Sequence, residues 1–208
     1  MKLYNYFRSS ASFRVRIALE LKGLPYDYIG VHLAKGDHKK PEFAGIAVAG
    51  FVPLLELNDG TRLDQSLAMM EYLDETHPTP ALLPRDALGR ARIRALAQSI
   101  ACEIHPLNNL RVLKYLVKDM GQTDEAKNAW YVHWCRTGLE AFERQLAALP
   151  PSAQGKYCYG DTPTLADCCL VPQIFNAQRF NTPLDSLPRT MAAFDNCMQH
   201  SAFIAAEP

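Results

Sequence analysis

Residues 51–76 have the sequence FVPLLELNDGTRLDQSLAMMEYLDET, which predicts two antiparallel strands followed by a helix. An Asp59-Gly60 turn, which is typical of the connections between antiparallel strands, separates the apolar run 51–57 from a second short strand. Ser66 is a good N-cap for the helix, which is expected to stop before Pro78. We therefore interpret this segment as a ββα unit.

The chain before this unit predicts a strand, a helix and a further strand. Residues 2–7 form a short aromatic strand, and a serine-rich turn leads from it into an apolar helix over 13–21. A Gly23-Leu24-Pro25 stop and a strand over 26–33 follow. A βαβ unit followed by a ββα unit predicts a mixed sheet covered by helices, and so an α/β domain.

After a proline-rich stretch at 77–84, the sequence pattern becomes that of helices alone. Apolar residues recur at intervals of three and four over 93–104 and again over 135–149, which is typical of bundle helices. A capping box opens a third helix over 164–180, and a last helix is expected after Pro188.

We therefore predict two domains, an α/β domain over residues 1–79 and an all-α domain over residues 85–208. The chain has 22 basic and 22 acidic residues, and this balance argues against a nucleic-acid partner. No apolar run approaches the roughly 20 residues of a membrane span, and Met1 leads directly into a strand without a signal peptide. We expect a cytoplasmic protein that does not enter membranes.

Cysteines and histidines do not point to a metal site. The six cysteines include no CxxC pair, and the six histidines are dispersed. The adjacent Cys168 and Cys169 would point about 100° apart on a helix, which makes a shared metal ligand awkward. We expect reduced core thiols and no bound metal.

Three segments carry the residues that could do chemistry. Ser9 and Ser10 lie where a strand gives way to a helix, so a hydroxyl there could stabilise an anion or could simply cap the helix. The Val52-Pro53 bond, if cis, would offer the Val52 backbone to a peptide-like ligand. Gln65 and Ser66 lie at the next strand-to-helix junction, which suits a carboxylate, although capping is again an alternative.

A third group lies in the helical half. Pro106 is expected to kink a long helix and leave His105, Asn109 and Arg111 beside the irregularity. These polar residues could form a pocket wall, or a solvated face with one core histidine.

Taken together, these segments resemble the zeta class of cytosolic glutathione transferases, in particular the maleylacetoacetate and maleylpyruvate isomerases. The resemblance spans nearly the whole chain. It implies a thioredoxin-like N-terminal domain and an all-helical C-terminal domain, with glutathione as cofactor. Its most specific motifs are Tyr6-Phe7-Arg8-Ser9-Ser10 with Arg14-Val15-Arg16-Ile17-Ala18-Leu19, Gln65-Ser66-Leu67-Ala68 with Glu71-Tyr72-Leu73, and Gly160-Asp161-Thr162 with Ala166-Asp167 and Leu170-Val171-Pro172-Gln173.

The resemblance also implies roles for individual residues. Ser9 matches the serine thought to hold the glutathione sulfur as a thiolate, and Ser10 and Arg8 complete the implied catalytic group. The residues implied in glutathione binding are Ser9, Ser10, Ser12, Arg14, His38, Val52, Gln65, Ser66, His105, Asn109, Leu110 and Arg111. Ala11 replaces a cysteine that is common in the motif, and Ala47-Val48-Ala49 replaces the usual Asn-Pro-X.

The implied reaction is the glutathione-dependent cis–trans isomerisation of a maleyl diketo acid to its fumaryl isomer. Such a substrate carries a carboxylate at each end, and Arg8, Arg111 and Arg179 are our candidates to bind them. The resemblance also implies a homodimer. Two alternatives stay open: conjugation or dehalogenation of small electrophilic acids by the same thiolate, and a non-catalytic interaction module of the same fold.

Overall fold

The computed structural model describes all residues from Met1 to Pro208, and they group into two compact units. The first unit comprises Met1–Leu82 together with Gln199–Pro208, and the second comprises Leu83–Met198. The helices are α1 (Ser10–Leu21), α2 (Pro41–Ala44), α3 (Ser66–Thr76), α4 (Ala87–Gln98), α5 (Leu110–Lys118), α6 (Asp124–Ala147), α7 (Leu165–Arg179), α8 (Pro188–Cys197) and α9 (Ser201–Ala205). No helix is both long and apolar enough to pass through a bilayer.

The first unit contains a four-stranded mixed sheet, as predicted. Its strands are β1 (Lys2–Asn5), β2 (Asp27–Gly30), β3 (Leu54–Glu56) and β4 (Arg62–Leu63), in the order β2-β1-β3-β4. β1 and β2 are parallel, whereas β3 is antiparallel to both β1 and β4. The predicted strands are longer than the observed ones at several ends, and β3 begins only after the cis Val52-Pro53 bond.

The first unit is also stabilised by a buried ion pair that connects α1 to α3. Lys22 Nζ donates to Asp74 Oδ1 at 2.6 Å, and its side chain is fully buried. The same ammonium group donates to the carbonyl oxygens of His77 and Pro80. Asp74 in turn accepts the Leu82 N–H at 2.7 Å. The chain that leaves α3 is therefore held against the end of α1.

The second unit is all-helical, but the prediction that one of its helices continues through Pro106 is wrong. We expected a single helix kinked at Pro106, whereas α4 passes into a π-helical segment, Ser99–Ile104, that ends before this proline. A new helix, α5, begins at Leu110 after a turn. Proline lacks the N–H that would continue the helical hydrogen bonds, so the helix ends before Pro106 and is not merely kinked by it.

The predicted capping box at the start of α7 is confirmed. Asp167 is fully buried and accepts hydrogen bonds from Thr164 N at 2.8 Å and Thr164 Oγ1 at 2.7 Å. It also accepts one from Cys158 N at 2.8 Å. Burial raises the pKa of Asp167, and the donated hydrogen bonds oppose that shift. The carboxylate thus joins the helix start to the loop before it.

The C-terminal residues differ from the predicted division. We placed residues 85–208 in the second domain, but Gln199–Pro208 belongs to the first unit. The cause is that α9 packs on α1 and that Arg16 Nε donates to the carbonyl oxygen of Ala206 at 2.9 Å. Five of the six cysteines are buried and Cys102 is exposed, and all six are free thiols.

Candidate active site

Ser9 lies at the turn between β1 and α1 and caps the helix. Its Oγ accepts the Ser12 N–H at 3.3 Å, and its own N–H donates to the carbonyl oxygen of Tyr6 at 2.9 Å. A serine hydroxyl that accepts one hydrogen bond keeps its proton for donation elsewhere. Ser9 is partly exposed, whereas Ser10, the first residue of α1, is buried. Capping and anion binding are therefore compatible at this residue.

Ser12 and Arg14 lie behind this turn. Ser12 is fully buried, and its Oγ accepts the Tyr6 N–H at 3.5 Å. Arg14 is 2% exposed, and its Nη1 donates to Ser66 Oγ at 3.3 Å. Both side chains thus support the strand-to-helix junctions from within the first unit, and Arg14 connects the starts of α1 and α3.

The junction before α3 corrects one detail of the sequence interpretation. Ser66 was expected to cap this helix, but it is the first helical residue, and Gln65 occupies the N-cap position. The Ser66 hydroxyl accepts from Arg14 instead of capping. Gln65 has φ +63° and ψ +109°, a conformation that L-residues rarely adopt and that costs about 1–3 kcal/mol. Strain of this kind is concentrated at functional sites.

Two further predicted residues lie in the stretch between β2 and β3. The Val52-Pro53 bond is cis, as expected, and Val52 is buried in a small apolar cluster that also contains Val31, Phe43 and Leu54. His38 is half-buried in a short 3-10 turn, Asp37–Lys39.

An aromatic cluster beside Ser9 was missed by the sequence interpretation. The His32 ring lies 5.1 Å from the Tyr6 ring and 6.1 Å from the Phe7 ring, measured between centroids. The Arg8 guanidinium lies over the Phe7 ring at 5.2 Å. β1 and β2 are parallel, so the residues that follow them meet at one edge of the sheet, and this topology could have indicated His32.

In the second unit, the turn before α5 brings three predicted residues together. Asn109 caps α5 by accepting the Arg111 N–H at 3.1 Å, and its amide lies 3.4 Å from His105 Nε2. Asn109 is therefore fixed between the two. Leu110 and Arg111 are exposed at the first turn of α5.

The same turn and the end of α7 both contact Tyr131 of α6. Asn108 Nδ2 donates to the Tyr131 carbonyl oxygen at 3.3 Å, and the Tyr131 ring stacks on Phe180 at 3.7 Å. Arg179 lies over the Phe180 ring at 5.1 Å. Burial raises the pKa of Tyr131, which therefore stays neutral. Within this unit, Arg179 is thus held over Phe180, which stacks on Tyr131.

The first-unit residues can stabilise an anion near the start of α1. The N–H groups of the first turn point toward the N-terminus of the helix, where the helix dipole favours negative charge. Ser9 adds a hydroxyl proton at the same end, and Arg8 adds a positive charge next to it. This donor set suits a thiolate and a carboxylate.

Comparisons with known proteins identify the class. Residues 8–76 match the family model described as glutathione S-transferase, N-terminal domain, and residues 135–203 match the model of the C-terminal domain. The two halves of the chain are thus those of a glutathione S-transferase.

Comparisons with individual proteins show which group of glutathione S-transferases the chain belongs to. The maleylpyruvate isomerase of a Ralstonia species is 49% identical over all of this chain and 97% of its own length. The holo structure of a bacterial zeta-class maleylpyruvate isomerase has a TM-score of 0.96 at 48% identity, covering 100% of this chain and 97% of that one. A maleylacetoacetate isomerase from Methylobacterium extorquens, solved with malonate and glutathione, has a TM-score of 0.95 at 36% identity, with coverage of 100% and 96%. The chain belongs to the zeta class of glutathione transferases, in the family of the maleylpyruvate and maleylacetoacetate isomerases.

Proposed function

We propose that this protein is a glutathione-dependent enzyme that isomerises a maleyl diketo acid, maleylpyruvate or maleylacetoacetate, to its fumaryl isomer in the breakdown of aromatic compounds. The observation that carries the proposal is the Ser9 hydroxyl at the N-terminus of α1, in a chain 49% identical to a maleylpyruvate isomerase. The residues around Ser9 fit glutathione because they offer hydrogen-bond donors and positive charge to an anion. Glutathione, when bound, supplies a thiolate whose addition makes the substrate double bond single and rotatable, and whose elimination restores the thiol.

Ser9 has the central role in this mechanism. Its hydroxyl accepts from Ser12 N and so donates its proton toward the sulfur, which lowers the thiol pKa by stabilising the charged form. Ser10 contributes its backbone N–H in the same helical turn. Negative charge also develops on the substrate diketone, and preorganised donors stabilise such charge most effectively away from water.

The remaining first-unit residues are proposed to bind the peptide part of glutathione. Gln65 and Ser66 receive the γ-glutamyl end, and Arg14 orients the Ser66 hydroxyl by its 3.3 Å hydrogen bond. Val52 pairs with the cysteinyl part through its backbone. His38 binds the glycine carboxylate of glutathione.

The second unit is proposed to contribute further cofactor and substrate contacts. The residues of this unit proposed to bind the cofactor are His105, Asn109, Leu110 and Arg111. Arg111 and Arg179 here, like Arg8 in the first unit, are proposed to bind substrate carboxylates, because a planar guanidinium can make two parallel hydrogen bonds to a carboxylate. The stacking of Phe180 on Tyr131 supports Arg179 in this role.

We also infer that the protein is cytoplasmic, because the zeta class consists of cytosolic transferases, and that it is a homodimer, as the resemblance implies. Light scattering of the purified protein at several concentrations tests the homodimer by measuring its mass. A mass close to twice 23.3 kDa is expected.

The test of the proposed function is an absorbance assay with maleylpyruvate and with maleylacetoacetate, each with and without glutathione. We expect turnover that needs glutathione, leaves its concentration unchanged and yields the fumaryl isomer. Ser9→Ala is expected to lower kcat about 100-fold, the effect of removing one donor to a developing anion. Ser152→Ala, an exposed serine of the second unit, is the matched control and should retain the wild-type rate.

Two results would redirect the proposal. Consumption of glutathione with a chlorinated small acid, without isomerisation of either maleyl compound, would indicate a conjugating or dehalogenating transferase. Absence of glutathione binding in calorimetry would indicate a non-catalytic module.

A further inference from the structure

Arg16 is a buried cation without an acidic partner. Its side chain is part of α1 and only 3% of the residue is exposed. The guanidinium makes three hydrogen bonds, all to neutral oxygens: Nε to the carbonyl of Ala206 at 2.9 Å, Nη1 to Asn5 Oδ1 at 3.1 Å, and Nη2 to the carbonyl of Phe7 at 3.2 Å. Burying a charge is costly unless it is well bonded, so this arrangement calls for an explanation.

The three acceptors belong to three different segments of the first unit. Asn5 is the last residue of β1, Phe7 lies in the turn that leads to Ser9, and Ala206 follows α9 at the C-terminus. Asn5 is itself fully buried and donates to the Leu3 carbonyl oxygen at 3.1 Å. A planar guanidinium with a fixed fork of donors can hold three such acceptors in one arrangement.

The bond to Phe7 is the one nearest to the proposed chemistry. The Phe7 carbonyl belongs to the peptide that leads into Arg8, and Ser9 follows directly. The turn itself is closed by the hydrogen bond from Ser9 N to the Tyr6 carbonyl oxygen. Within this turn, the bond from Arg16 limits how far the Phe7-Arg8 peptide can rotate. The orientation of that peptide determines where the Ser9 hydroxyl and the Arg8 side chain point.

We propose that Arg16 is a positioning residue for the Ser9 site, and that the C-terminal segment takes part in this positioning through the Ala206 carbonyl oxygen. This inference rests on the proposed function. Arg16 does not contact the reacting atoms in this scheme: it holds the turn that carries Ser9. The Arg16 guanidinium also lies 5.0 Å from the ring centroid of Phe13, another residue of α1. This cation–π contact helps to fix the Arg16 side chain.

The first test compares Arg16→Lys with Arg189→Lys, an exposed arginine of the second unit. Lysine keeps the charge but cannot hold the three acceptors with one fork. We expect Arg16→Lys to lower kcat about 10-fold, because small displacements of a catalytic group are costly, and to change KM for the maleyl substrate less than about twofold. The apparent pKa of bound glutathione, followed by thiolate absorbance in the ultraviolet, should rise. Arg189→Lys should match the wild type in all three.

The second test uses the C-terminus and leaves Arg16 in place. A chain that ends at residue 205 lacks the Ala206 carbonyl, whereas a chain that ends at residue 206 keeps an acceptor there. We expect the shorter chain to reproduce the lower kcat and the raised thiolate pKa, and the longer one to behave as the wild type. When Arg16→Lys is combined with the shorter chain, the changes in kcat and in thiolate pKa should be smaller than the sums of the two separate changes, since both alterations break the same hydrogen bond.

The outcomes separate this inference from the proposed function. Loss of thermal stability in both altered proteins, with kcat and thiolate pKa as in the wild type, would show that Arg16 is only structural and would overturn the inference. If the wild type binds glutathione but isomerises neither maleyl compound, the proposed function fails, and the thiolate pKa of the variants still decides the role of Arg16. If Arg16→Lys does not fold, the two shortened chains carry the test.

Discussion

Replacement of Asp167 by asparagine should destabilise the protein through the start of α7. The two carboxylate oxygens of Asp167 accept from different sides: Oδ2 from Thr164 N and Oγ1, and Oδ1 from Cys158 N and, at 3.7 Å, from Cys197 Sγ. Asparagine keeps one acceptor oxygen and replaces the other by a donor group. In the better orientation the oxygen faces Thr164, and the new NH₂ group faces the Cys158 N–H.

The expected magnitude follows from this geometry. The hydrogen bond from Cys158 N and the long one from Cys197 Sγ are lost, and the Cys158 N–H and the new NH₂ group are left face to face in a fully buried position. Each unsatisfied buried group costs about 1–3 kcal/mol, so the total for the two donors in Asp167→Asn is about 2–6 kcal/mol. For a chain of this length, that loss corresponds to a decrease in Tm of roughly 4–24 °C.

The assay is thermal unfolding at one fixed protein concentration, followed by circular dichroism. Asp161→Asn is the matched control, because Asp161 is exposed and accepts only the Lys156 N–H, at 3.2 Å. It should lower Tm by no more than about 2 °C, as expected for a surface substitution. Equal Tm values for the two variants would refute the argument that the Asp167 carboxylate holds the loop and the helix together.

Two further predictions concern charged groups of the first unit. Lys22→Met should lower the free energy of unfolding by about 3–5 kcal/mol, because it leaves the buried Asp74 carboxylate without its cation; unchanged unfolding in urea would contradict this. Lys2 and Arg62 hold the pKa of Glu56 below its usual range, so Glu56 contributes stability above its unfolded-state pKa that is lost as the pH falls through the lower folded-state value. The Tm difference between wild type and Glu56→Gln should therefore shrink on acidification, and a constant difference would count against the pairing.

Local patterns were sufficient to predict much of the fold. The Asp59-Gly60 turn and the Thr164–Asp167 capping box are specified by neighbouring residues, and both are present in the structure. The place of Ser9 at the start of α1 was also predicted from its position between a strand and a helix, whereas its role toward the glutathione sulfur came from the resemblance and stays a prediction. In each case the sequence pattern and the tertiary structure favour the same arrangement.

The errors arose where distant contacts decide the structure. Ser66 would cap α3 on propensity alone, but Arg14 takes its hydroxyl as an acceptor, and Gln65 adopts the N-cap position at a conformational cost. His32 gains its position only from the parallel pairing of β1 and β2. The hydrogen bond from Arg16 to Ala206, which lies 190 residues further along the chain, likewise has no local sequence signal.

The membership of Gln199–Pro208 in the first unit has a consequence for synthesis in the cell. Domains generally fold as units, and N-terminal ones fold first while the chain is still being made. Here the first unit lacks its helix α9 until the ribosome has synthesised the whole second unit, because residues 83–198 separate Gln199–Pro208 from the rest of the first unit. Arg16 therefore acquires its Ala206 acceptor only after the second unit has been made, so the region around Ser9 matures later than its place near the start of the sequence would indicate.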